Sequence, residues 1–237
     1  MKKQRVFVTG ATGGMGFASL KEMLKDADKQ DIVILARDSE KNRKILAPYM
    51  QTKGLTIVWG DLNDYEVVKK CVKDCDIVLH IAAFVSPAAD YYPDRAMKVN
   101  YGSTRNIIRA IYEHKQQDFT RLVYIGTVAE TGDRMPPIHW GRVGDPIKPS
   151  MFDYYAVSKV AAERLGIESG LKYWVSLRQT GIIGKAMSEI NDAIMFHNCF
   201  DNVLEYCSDR DSARAMKNLC AFYHDGDLPE SFLGAYL

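Results

Sequence analysis

The sequence predicts an α/β chain built on a doubly wound parallel sheet. Three observations point to it. Six short runs of strand formers alternate with helix-length segments or crossovers between residues 5 and 178, with no internal repeat. The first run closes on a glycine-rich turn that opens directly into a helical pattern. The second, residues 32–36, is apolar throughout, as in a strand buried on both faces. The 237 residues suit one large domain with a small appendage and a sizeable core.

Residues 5–9 form the first strand and run into Gly10-Ala11-Thr12-Gly13-Gly14-Met15-Gly16. Residues 17–25 then predict a helix with Phe17, Leu20, Met23 and Leu24 on one stripe. Strand, glycine turn and helix start are the setting that a dinucleotide fingerprint requires. The glycines permit a tight turn and close approach of backbone to a pyrophosphate, and the helix start offers unpaired N–H groups. The spacing, Gly10, Gly13, Gly16, is one residue longer in its first gap than the common pattern. An ordinary glycine-rich turn is the alternative.

The second strand ends in Arg37, and the first carboxylate is Asp38. An acid at the strand end accepts ribose hydroxyls in an NAD site, whereas a guanidinium suits a 2′-phosphate and stacks on adenine. Lys41 and Arg43 add positive charge, so NADP is favoured over NAD. The alternative for Arg37 is a solvated loop arginine. The third strand, residues 55–59, closes on Gly60-Asp61-Leu62. Asp61 either meets the adenine amino group or caps the helix of residues 64–73, and Asn63 is the expected cap if Asp61 serves adenine. The fourth strand, residues 76–80, leads to Ile81-Ala82-Ala83, small enough for a cofactor to lie against. His80 has no acid–base partner in sequence and reads as a packed, hydrogen-bonded histidine.

A long helix follows over residues 93–114, with Asn100 the polar member of a stripe that includes Met97, Thr104, Ile107 and Ile108. Asn100 is expected to hydrogen-bond inward. The fifth strand, residues 121–125, leads to Gly126-Thr127, placing Thr127 at a carboxyl end, where open α/β sheets bind ligands. Residues 128–150 form a long loop whose Pro136 to Trp140 stretch is a candidate substrate wall, with His139 structural. Residues 154–169 form a helix on which Tyr155 and Lys159 share a face. A phenol titrates near ~10, and a nearby ammonium favours the phenolate, so the pair suits proton transfer. Alone, the same spacing also fits a solvated helix face. Residues 173–178 form the sixth strand. Residues 191–220 look mostly helical, with Phe196, Phe200, Val203 and Leu204 packing, and residues 221–237 carry little pattern.

The formal net charge is +1 and no like-charge block stands out, so neither nucleic acid nor a membrane is an expected partner. Lys2, Lys3 and Arg5 precede too short an apolar run for a secretory leader, and nothing approaches the ~20 apolar residues of a span. Five scattered cysteines read as reduced thiols in a cytoplasmic protein, with no metal site.

In order along residues 3–184, Thr9-Gly10-x-x-Gly13-x-x-Gly16, Gly60-Asp61-Leu62, His80-x-Ala82-Ala83, Asn100, Gly126-Thr127, Tyr155-x-x-x-Lys159 and Arg178-Gln179 resemble the extended short-chain dehydrogenase/reductase family, that of the NAD-dependent epimerases and dehydratases. The resemblance implies a Rossmann-type domain over residues 1–184, carrying the Tyr-Lys helix, and a partial substrate lobe over residues 185–237. It implies that Tyr155 is the general acid or base. Lys159 would bind the nicotinamide ribose and lower the Tyr155 pKa. Thr127 would bond the substrate oxygen, and Asn100 would support the network. The implied cofactor contacts are Gly10, Thr12, Gly13, Gly14, Met15, Gly16, Arg37, Asp61, Leu62, Ala82, Ala83 and Lys159.

The family's dehydratases carry Asp-Glu directly after the catalytic threonine. This chain has Val128 and Ala129, so dehydration is disfavoured. Thr131 stands where epimerases often have an aromatic residue. The substrate lobe is expected to be shortened, stopping after about Leu228, with no seventh strand visible. The expected function is an NAD(P)-dependent oxidoreductase acting on a carbonyl/alcohol pair of a small molecule, and helix-paired homodimers are frequent in the family. The alternatives are a nucleotide-sugar epimerase with tightly bound NAD and a non-catalytic NADP-binding sensor.

Overall fold

A computed structural model describes residues 3–132, 144–185 and 205–221. Six parallel strands form one sheet: β1 (Gln4–Thr9), β2 (Gln30–Ala36), β3 (Leu55–Trp59), β4 (Ile77–His80), β5 (Arg121–Thr127) and β6 (Tyr173–Gln179). Their order is β3-β2-β1-β4-β5-β6, the predicted doubly wound sheet. Chain direction across the sheet reverses between β1 and β4, where Thr9 lies beside both Leu35 and His80. That reversal opens a crevice at the carboxyl ends.

The connecting helices are α1 (Gly14–Met23), α2 (Glu40–Leu46), α3 (Tyr65–Val72), the short α4 (Ala88–Tyr91) and α5 (Pro93–Ala96), α6 (Gly102–Glu113) and α7 (Tyr154–Glu168). A π turn, Met97–Tyr101, joins α5 to α6, so the predicted long helix is continuous but widened around Asn100. A separate ribbon pairs β7 (Gly181–Ile183) with β8 (Tyr206–Ser208), and α8 (Asp209–Ala221) follows. Neither ribbon strand is predictable, because three residues are too few to show an alternation.

The strands alternate faces with period two. Val6, Val8, Ile32, Ile34, Ile77 and Leu79 pack with Leu20 and Met23 of α1 and with Met216 and Leu219 of α8. Phe7, Val33, Leu35, Val78 and Leu122 pack on the other face with Val68 of α3, Ile107 and Ile111 of α6 and Ala162 of α7. Helix α8 lies in the stretch assigned from sequence to the substrate lobe, yet its apolar residues complete the core on one face of the six-stranded sheet. Ser19 Oγ contacts Met216 Sδ at 3.6 Å, and Arg121 donates to the Leu219 carbonyl at 2.8 Å.

Three expectations need correction or lie elsewhere. Asp64, not Asn63, caps α3, its carboxylate accepting from Glu66 N and Val67 N. Asn63 is instead held by Asp61, through its backbone N at 2.7 Å and its Nδ2 at 2.8 Å. The 136–140 wall with His139, and the packing residues Phe196, Phe200, Val203 and Leu204, lie outside the described residues.

Candidate active site

The site is built on the turn between β1 and α1. Gly10 closes β1 at φ +72°, a conformation that glycine adopts without strain. A Cβ on Gly16 would lie 2.0 Å from the Gly10 carbonyl oxygen, so only glycine lets α1 start against the strand end. The helix therefore begins at Gly14, three residues ahead of the predicted start. No side chain caps it and no acid sits in its first turn. Its first N–H groups lack intrahelical acceptors and face the crevice with the positive end of the dipole.

A cavity of about 840 Å³ lies over this turn. Every cofactor contact implied by the sequence lines it: Gly10, Thr12, Gly13, Gly14, Met15, Gly16, Arg37, Asp61, Leu62, Ala82, Ala83 and Lys159, together with Thr127 and Tyr155. Phe84, Arg95, Lys98, Thr180 and Ile182 line it as well and carried no sequence motif, and Gln179 of the Arg178-Gln179 pair joins them. At the β2 end, Asp38 is gripped by Arg43 through bonds of 2.6 and 2.8 Å. Arg43 in turn lies 4.9 Å above the Trp59 ring. The first carboxylate after β2 is thus neutralised outside the cavity, while Arg37 and Lys41 line it.

His80 and Asn100 brace the floor and do not line the cavity. Thr9 Oγ1 accepts from Ile81 N and Ala82 N, each at 3.1 Å, so its own hydrogen goes to His80 Nδ1 at 2.8 Å. That fixes the imidazole proton on Nε2, which faces Thr104 and Ser103. Burial brings the His80 pKa down to about 3, and the ring stays neutral. The sequence expectation of a packed, hydrogen-bonded histidine holds. Asn100 hydrogen-bonds inward, as expected, and in doing so spans two elements. Its Oδ1 accepts from Phe84 N at 2.7 Å, and its Nδ2 donates to Phe84 O at 3.0 Å and Ser158 Oγ at 2.8 Å.

Asp153 caps α7 through Ala156 N at 2.8 Å, which places Tyr155 in the first turn and Lys159 one turn later. The Thr127 side chain beside Tyr155 favours the phenolate. Burial outweighs it, and the charges of Glu130 and Asp153 add to burial, so the Tyr155 pKa rises to about 12. The expectation that Lys159 lowers this pKa is not met here. Its Nζ instead donates to the Ile125 carbonyl at 2.5 Å and sits 4.1 Å over the Tyr124 ring. Burial pulls Lys159 down to about 8, against the opposing charges of Glu130 and Glu163.

A second chamber of about 600 Å³ adjoins the first. Thr127, Tyr155, Val85, Thr180 and Ile182 line both. Val128 and Ala129 line the second chamber alone, with no ionisable group at either position. The next acid, Glu130, points inward and was not singled out from sequence. Its signal was legible, since Thr127-x-x-Glu130 is a capping box: Thr127 Oγ1 accepts from Ala129 N while Glu130 Oε1 accepts from Thr127 N. Among the described residues, no group of three His, Cys, Asp or Glu is placed to hold a metal ion, and no helix is long and apolar enough to cross a membrane.

The chain was compared with known proteins. The model of the NAD dependent epimerase/dehydratase family matches residues 6–216. The UDP-N-acetylglucosamine 4,6-dehydratase (inverting) of Campylobacter jejuni is 30% identical over 113 residues, 47% of this chain and 34% of that protein. The 3 beta-hydroxysteroid dehydrogenase/Delta 5-->4-isomerase of Vaccinia virus is 27% identical over 194 residues, 75% of this chain and 52% of that protein. The chain thus spans between about a third and a half of the length of these curated relatives. The dTDP-glucose 4,6-dehydratase of Streptomyces venezuelae, solved with NAD bound, superposes with a TM-score of 0.75 at 20% identity, over 92% of this chain and 72% of that one.

Proposed function

Because this chain belongs to the NAD dependent epimerase/dehydratase family, we propose that it is an NADP-preferring oxidoreductase that interconverts a carbonyl and an alcohol on a small-molecule substrate. The observation that carries this reading is the shared wall. Thr127 and Tyr155 face both the long cavity and the adjoining chamber, so one hydroxyl pair can serve a cofactor on one side and a substrate on the other.

The long cavity fits a dinucleotide by its donors. The α1 start meets a pyrophosphate. Asp61 on the lining would accept from the adenine amino group, and Arg37 and Lys41 would meet a 2′-phosphate, while Asp38 is bound by Arg43. When bound, the nicotinamide supplies or accepts the hydride. Tyr155 donates the hydroxyl proton in reduction and takes it back in oxidation. Thr127 polarises the substrate oxygen and holds the Tyr155 hydroxyl. Lys159 positions the ribose, and Asn100 fixes the loop after β4 to α7. Lacking acids at 128 and 129, the second chamber offers no group there to eliminate water. The viral dehydrogenase/isomerase, matched over 75% of this chain, supports the redox reading. A cytoplasmic setting suits Cys71, Cys75 and Cys220, whose thiols burial pushes up to about 11 or 12.

The test is titration of the purified chain with NADPH and NADH, followed by nicotinamide fluorescence. NADPH binds more tightly, and Arg37→Ala weakens it by about tenfold to a hundredfold, the worth of a hydrogen bond to a charged group, while NADH is little changed. Preference for NADH, or NAD that copurifies and does not exchange, overturns the Arg37 argument and moves the epimerase reading to the front.

A further inference from the structure

Glu130 is fully buried and lines neither chamber. Its carboxyl meets a second carboxyl, Glu163 of α7. Arg178 of β6 holds Glu163 by two bonds, Nε to Oε2 at 3.2 Å and an Nη atom to Oε1 at 2.6 Å, and Ser176 Oγ donates to Oε2 at 2.5 Å. The same Arg178 Nε stands 3.5 Å from Glu130 Oε2, outside good hydrogen-bond range. Glu130 Oε2 therefore accepts no hydrogen bond. A buried carboxylate oxygen in that state is costly. The cost disappears when Glu130 carries a proton and donates it to Glu163.

The space for this pair is made by Gly126 on β5. A Cβ there would lie 2.8 Å from Ser176 Oγ and 3.0 Å from both Glu163 Oε2 and Arg178 Cγ. The titratable and charged groups facing Glu130 are Glu163, Lys159 and Tyr155 on α7, Tyr124 on β5 and Arg178 on β6. Arg178 makes two bonds to Glu163 and also forms an ion pair with Glu130 at 3.5 Å. Lys159, buried one turn before Glu163, is the other cation of the group.

We propose that Glu130 is a positioning residue: a buried carboxylic acid that holds the Thr127 backbone and whose ionisation sets the charge of Lys159. Protonated, it donates to Glu163 and adds no charge. Ionised, it is an anion in a medium of low dielectric that keeps the Lys159 proton in place. Burial and the Glu163 charge raise the Glu130 pKa, burial lowers that of Lys159, and each charged form favours the other, so the titration of one depends on the other. The proposal rests on Tyr155 and Lys159 being the reacting pair.

The experiment uses the whole chain labelled with ¹³C at lysine Cε and glutamate Cδ, titrated by NMR without substrate, as wild type and as Glu130→Gln. Glutamine keeps the acceptor for Thr127 N and supplies a donor for Glu163, so it mimics the protonated acid. The Lys159 resonance is assigned as the one lost in Lys159→Arg. The expected result is a Lys159 midpoint lower by about one unit in Glu130→Gln, the loss of one nearby opposite charge. A Lys159 midpoint unmoved by the variant overturns the proposal. Should the variant fail to fold, the wild-type Glu130 carboxyl decides: ionisation above pH ~7 supports the proposal, and ionisation in the ordinary glutamate range overturns it. Since no substrate or cofactor is present, a failed NADPH titration would leave this result standing, and a failed proton titration would leave the oxidoreductase reading intact.

Discussion

At the scale of single residues, Tyr155 is the informative case. Burial pushes its pKa up to about 12, against the favourable effect of Thr127 beside it. At neutral pH it therefore holds its proton and is ready to act as an acid. Positioned proton transfer contributes ~10²–10⁴-fold, so Tyr155→Phe loses turnover by that factor. NADPH binding, measured by fluorescence, stays within about twofold, since the lost hydroxyl belongs to the proton path; a parallel loss of binding would give Tyr155 a structural role instead. The residue types were legible in the sequence because four residues make one helical turn. The direction of the Lys159 ammonium was not. It depends on the Ile125 carbonyl and the Tyr124 ring, which only the tertiary fold brings beside it. His80 shows the same division. Its lack of a sequence partner foretold a packed ring, but its tautomer follows from two backbone N–H groups converging on Thr9.

At the scale of elements, the turn from β1 to α1 sets the tolerance. Gly16→Ala drives a methyl group to within 2.0 Å of the Gly10 carbonyl, which is backbone and cannot rotate away. Overpacking of this kind costs about 1–3 kcal/mol. Denaturant unfolding reads that loss, and cofactor affinity falls with it as α1 is displaced from the strand end. Glycine spacing made this turn visible in sequence, yet α1 begins earlier than its apolar stripe, because the stripe marks the buried face and not the first hydrogen bond. The six sheet strands were equally visible. The short α4 and the β7–β8 ribbon were hidden, since three or four residues hold little more than one period of either pattern and show no repetition. The capping box at Thr127 and Glu130 was readable and carries the link between β5 and the buried carboxyl pair.

At the scale of the molecule, the doubly wound parallel sheet followed from the alternation of strands and helices, but the docking of α8 did not. Its stripe of Met216, Leu219 and Cys220 promises burial without saying where. The structure lays it beside α1, ties it to Asp26 through Lys217 at 2.7 Å, and lets Ser212 donate to Gln179, a residue of the cavity wall. Met216→Ala consequently costs about 2–5 kcal/mol, the range for a buried large-to-small change, and thermal or denaturant unfolding measures it. A cost below about 1 kcal/mol would mean that α8 covers the sheet only loosely. Because α8 completes one face of the core, stability and the cavity wall share a helix.

The pairing of α1 with α8 also has a temporal side. Leu20 and Met23 leave the ribosome early, whereas Met216 and Leu219 emerge roughly two hundred residues later, about 10–40 s at ordinary rates of synthesis. For that interval one face of the nascent sheet is covered by α1 without α8. That face of the sheet stays unfinished until α8 arrives.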